Sequence, residues 1–122
     1  HVSSVAQLDH AIIATGFPYA RKKMEAIADL LLLILKEARG VRRLGSAALD
    51  LAYTACGRFD GYYETQINAW DVAAGILIVR EAGGQVSDFK GAGNPVFSTH
   101  ILATNPKLYP QIMNLIKQVD MI

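Results

Sequence analysis

The sequence predicts a layered α/β domain, with helices packed on a central sheet. Short apolar, partly β-branched runs that read as strands alternate with longer segments whose apolar residues recur at helical spacing. Glycines and prolines punctuate the joins between them. The chain is also apolar enough to bury a core: of its 122 residues, 52% are hydrophobic and 19% charged, within the usual range for one folding unit.

Taken in order, Leu8 to Thr15 (LDHAIIAT) reads as a buried strand, stopped by Gly16-Phe17-Pro18. His10 on that strand is expected to be a satisfied core residue. A helix follows from about Ala20 to Ala38, where Met24, Ile27, Ala28, Leu31, Leu35 and Ala38 form a stripe and Gly40 supplies the stop. Leu32 and Leu33 lie off that stripe, so this helix is expected to be covered on more than one side. After an extended piece at Val41 to Leu44, Gly45-Ser46 opens a second helix reaching about Ala55, with Ser46 as N-cap. Phe59 to Glu64 alternates and carries aromatics, which predicts a strand.

A third helix spans about Ala69 to Ala82, with Gly83-Gly84 at its end. Gln85 to Phe89 and Thr99 to Thr104 read as two more strands, joined by the loop Lys90 to Ser98. Asn105-Pro106 starts the last helix, whose stripe is Leu108, Ile112, Leu115, Ile116 and Val119. Nothing in this pattern orders the strands.

The net charge of +1 gives no support for nucleic-acid binding, which normally needs a gathered basic excess. Arg21-Lys22-Lys23 and Arg39 with Arg42-Arg43 read as solvated helix ends. The longest aliphatic run, Leu30 to Leu35, is too short to span a bilayer, so a soluble protein with no membrane partner is expected. Cys56 is the only cysteine, which fits a reducing cytoplasm, and it reads as a small buried hydrophobe. His1, His10 and His100 have no zinc-ligand spacing, and the chain carries neither G-x-S-x-G nor a P-loop.

The informative stretch is Gly57 to Gly84 (GRFDGYYETQINAWDVAAGILIVREAGG). Asp60 and Glu64 share strand parity with Tyr62, so their side chains point to one face. Asp71 lies in the first turn of the following helix. A carboxylate there has two readings: it is stabilised by the helix dipole, or it is a ligand for a hard cation such as magnesium. Spacing alone does not separate them.

Asn68 to Gly75 (NAWDVAAG), followed by Ile78 to Gly84 (IVREAGG), resembles the C-terminal signature of the inositol monophosphatase family. That signature has the form W-D-x-A-A/G-G, a short apolar run, then E-A-G-G. The segments ATGFPY at 14–19, RLGSAA at 43–48 and GRFDGYYE at 57–64 agree with the same family, in the same order. The resemblance implies the C-terminal half of the αβαβα sugar-phosphatase fold, built on a mixed sheet.

It further implies magnesium-dependent hydrolysis of a phosphate monoester, with a metal-activated water attacking in line. Asp71 would be a metal ligand and catalytic residue. Glu64 would accept hydrogen bonds from substrate hydroxyls, and Gly45, Ser46 and Ala47 would form the wall beside the sugar or inositol ring. Trp70 would pack beneath the site as an anchor, and Gly75 would permit close helix–sheet contact.

The family's D-P-x-D-G-T segment is absent, so the chain is expected to be a fragment whose N-terminal half supplies the other ligands, and to be inactive alone. Homodimerisation is implied as well. The resemblance implies a myo-inositol monophosphate as the preferred substrate. Fructose 1,6-bisphosphate, 3′-phosphoadenosine nucleotides and histidinol phosphate are alternatives within the superfamily. A non-catalytic dimerisation or protein-binding domain is the alternative of a different class.

Overall fold

A computed structural model describes residues 1–17, 24–93 and 95–119. Five strands form one mixed sheet: β1 (Ile12–Thr15), β2 (Gly40–Arg42), β3 (Gly61–Thr65), β4 (Gln85–Ser87) and β5 (His100–Thr104), in spatial order β2-β1-β3-β5-β4. β1 runs parallel to both β2 and β3, whereas β5 is antiparallel to β3 and β4. The helices are α1 (Met24–Glu37), α2 (Ala47–Ala55), α3 (Ala69–Glu81) and α4 (Tyr109–Ile116).

Period-2 alternation divides each central strand between two cores. Ile13, Tyr63 and Leu102 join α1 and α4 on one face, through Ile27, Leu30, Ile34, Ile112 and Ile116. Ala14, Tyr62, Ile101 and Ala103 join α2 and α3 on the other, through Leu51, Val72, Ile76 and Val79. β3 lies between both layers, which explains its aromatic and apolar content. No described helix is long and apolar enough to cross a membrane.

Several local expectations change. The strand predicted from Leu8 begins only at Ile12, because Leu8–His10 is a 3-10 turn, and His10 is exposed rather than in the core. Ala20 to Lys23, including the basic triplet and the predicted helix start, lie outside the described residues, as do Pro18 and Tyr19. Arg39, Arg42 and Arg43 are exposed. On α1 the buried stripe is Ile27, Leu30 and Ile34, whereas Met24, Ala28, Leu32 and Leu35 are exposed in this chain. So many leucines are contiguous there that periodicity allows two stripes, and the sheet selects one. Cys56 is exposed, not buried.

Gly75 faces a helix rather than the sheet. A Cβ there would lie 2.7 Å from Leu51 Cβ and 3.1 Å from its Cγ, so α3 lies directly against α2. At the start of the last helix, Asn105 Oδ1 accepts from the Leu108 amide at 2.9 Å, the predicted capping contact, although the regular helix begins at Tyr109.

Candidate functional site

Beside Phe17, which follows β1, the sheet and the α2–α3 layer bring three chain segments to one cleft of about 440 Å³. The first is the turn into α2, lining it with Gly45, Ser46, Ala47 and Ala48. Gly45 has φ +81, in the left-handed region where a side chain is strained. Ser46 Oγ accepts from the Leu49 amide at 3.3 Å, capping the helix as the sequence predicts. The second is the end of β3 with Glu64. The third is the start of α3, with Trp70 and Asp71. The positive ends of two helix dipoles therefore border the cleft, an arrangement that favours an anion.

Glu64 is held from two sides. Its Oε1 accepts from the Tyr62 hydroxyl at 2.5 Å, as their shared strand parity allows. Behind it, a Cβ on Gly16 would lie 2.5 Å from Cδ and 2.8 Å from Oε2, so only glycine leaves room for the carboxylate. Burial raises the Glu64 pKa, the Tyr62 hydrogen bond and Arg43 oppose that rise, and Asp71 adds to it. The Tyr62 hydroxyl is pushed well above the usual phenol range, by burial first and then by the Glu64 charge.

The residues that the resemblance assigns to the metal and the substrate all border the same cleft: Gly45, Ser46, Ala47, Glu64 and Asp71. Asp60 does not. It precedes β3 and accepts from the Ile12 amide at 2.7 Å, tying β3 to β1. Trp70 is 79% exposed at the rim rather than packed beneath the site. Sequence reasoning missed Phe17, which lines the cleft with Arg43 stacked 5.2 Å over its ring, and Gly16 behind Glu64. It also missed Asp50, which the helical stripe Asp50, Leu51, Thr54 could have flagged as a carboxylate turned inward.

Among the described residues no three His, Cys, Asp or Glu side chains come together as a metal cage. Asp71 and Glu64 are nevertheless hard oxygen donors beside one cleft, and the exposed Asp71 carboxylate suits one ligand position of a magnesium ion.

The family model described as the inositol monophosphatase family matches residues 1–121. The chain belongs to that family. It is 47% identical over 107 residues to Nus factor SuhB of Escherichia coli (strain K12), spanning 87% of this chain and 40% of that protein. It is 46% identical over 112 residues to inositol-1-monophosphatase of Synechocystis sp., spanning 91% of this chain and 39% of that protein. The solved structure of extragenic suppressor protein suhB from Bartonella henselae superposes with a TM-score of 0.91 at 40% identity, covering 96% of this family member and 45% of that chain. The layered mixed sheet is therefore the family's fold. The chain spans less than half the length of the relatives it matches.

Proposed function

We propose that this chain is the C-terminal part of a magnesium-dependent phosphatase that hydrolyses a phosphate monoester, with a myo-inositol monophosphate as the favoured substrate. The single observation that carries this reading is the convergence of Glu64, Asp71 and the Gly45-Ser46-Ala47 turn on one cleft. The similarity to an inositol-1-monophosphatase supports the same substrate class.

In this reading Asp71 holds one coordination position, and the other ligands come from polypeptide outside these 122 residues. When bound, magnesium supplies charge stabilisation and an activated water. Glu64, fixed by Tyr62 and Gly16, accepts from a hydroxyl of the polyol ring. The turn at Gly45 lets the ring approach the backbone, and the dipoles of α2 and α3 attract the phosphate. Homodimerisation and a cytoplasmic location belong to the same reading.

Phosphate release by the full-length protein tests it. Activity on myo-inositol 1-phosphate that requires magnesium and exceeds that on fructose 1,6-bisphosphate and a 3′-phosphoadenosine nucleotide is expected. No magnesium-dependent release from any of the three would end the proposal. Gly16→Ala is expected to push the Glu64 carboxylate out of place and raise KM by roughly 10-fold or more, the scale of one hydrogen bond to a charged group, with a smaller change in kcat. Steady-state kinetics checks the split.

A second reading is a protein-binding role. The similarity to proteins named Nus factor SuhB favours it, and α3 exposes Trp70, Leu77 and Ile78 along one side. The absence of phosphatase activity together with retained partner binding would select this reading.

A further inference from the structure

Asp50 sits on the inner side of α2, one helical turn after Ala47, and is 1% exposed. Among the described residues neither of its carboxylate oxygens has a hydrogen-bond partner. A buried, unpaired carboxylate is costly in its charged form, and a proton removes the cost. The groups acting on Asp50 are Glu64 from β3, which disfavours its charge, and Arg43 before α2, which favours it. Asp50 in turn acts on Tyr62 of β3. From the start of α3, Asp71 is a further negative charge that acts on Glu64 and on Tyr62. The remaining described neighbours on this face are apolar: α3 presents Val72, Gly75, Ile76 and Val79, and β5 presents Ile101 and Ala103.

Two carboxyl groups in one low-dielectric region share a single proton at moderate pH, and the site that holds it is the one with less support for its charge. Glu64 has the Tyr62 hydroxyl and a partly open position. Asp50 has neither.

We propose that Asp50 is a positioning residue that holds the proton of a two-carboxyl pair with Glu64, leaving Glu64 charged and able to accept from the substrate hydroxyl. The inference rests on the role proposed above for Glu64. Burial first, then the Glu64 charge, lifts the Asp50 carboxyl from its ordinary 3.8 to about 7, against the pull of Arg43. Loss of that proton above neutrality places a second negative charge behind a cleft that receives an anion. The folded-state value lies above the unfolded one, so the stability that Asp50 contributes is full below about 4 and is lost as pH rises to about 7.

The test compares wild type with Asp50→Asn, which mimics the protonated carboxyl, in the full-length protein. Wild-type KM is expected to rise relative to that of Asp50→Asn by roughly fivefold across neutrality, the scale of one added like charge, with kcat little changed. Infrared titration of the metal-free wild type is expected to show a carboxylic-acid carbonyl band that disappears near neutrality and is missing in the variant. Parallel KM profiles overturn the proposal even if the band is present, and a missing wild-type band overturns it even if the variant fails to fold. Should the wild type hydrolyse no phosphate ester, the phosphatase reading fails, and the band separately decides whether Asp50 holds the proton.

Discussion

Asp71→Asn in the full-length protein is expected to lower kcat by roughly 10²–10³-fold while changing KM by only a few-fold, the pattern of a group that stabilises charge developing in the transition state. Asparagine keeps the shape and polarity of the side chain and removes the charge. In the proposed mechanism that carboxylate would hold magnesium, which would supply charge stabilisation to the reaction, so its loss falls on the chemical step. Substrate hydroxyls still meet Glu64 and the ring still meets the Gly45 turn. The fold is expected to survive. Asp71 is exposed, and the lost attraction to the helix dipole is worth about 0.3–1 kcal/mol. Kinetics over a magnesium series checks the expectation, with more magnesium needed for half-maximal rate in the variant. Unchanged kcat and unchanged magnesium dependence would remove Asp71 from the metal site.

The second large effect is on stability. Gly75→Val is expected to destabilise the fold by about 3 kcal/mol, at the upper end for overpacking a close contact. Two terms compete at this position. Replacing a mid-helix glycine with valine recovers a few tenths of a kcal/mol of helix propensity, roughly. Against this, the new side chain meets the Cβ and Cγ of Leu51, which are fixed to the α2 backbone and fully buried. Leu51 cannot swing aside as an exposed tip would, so α2 and α3 must separate. Their separation also moves Ser46 and Ala47 away from Asp71, since these residues start the two helices that frame the cleft. Activity is therefore expected to fall with stability, and denaturant unfolding beside kinetics checks both. A variant as stable as wild type would mean that the helices are not in contact there.

How much of the site was legible depended on sequence separation. Glu64 and Tyr62 are two residues apart on a strand, so parity alone placed them on one face, and the 2.5 Å bond between them follows. Ser46 before an apolar helical run announced its cap. The resemblance implies that Trp70 packs beneath the site, whereas the first turn of α3 directs it to the rim. Gly75 was assigned to the sheet for lack of any sign of which neighbour it faced. Asp50 passed unnoticed because one acidic residue in a short helix looks solvated until its inner side is known.

The sequence by itself determined the local elements, their caps and stops, and through its signature the family. These rest on spacings of two to four residues, where backbone geometry alone dictates which side chains are neighbours. Tertiary structure alone decided the order β2-β1-β3-β5-β4, the contact of Gly75 with Leu51, and the meeting of the α2 and α3 starts beside Glu64. Those relations join residues far apart along the chain, and they are set by which faces of the sheet and helices bury each other, not by any local preference.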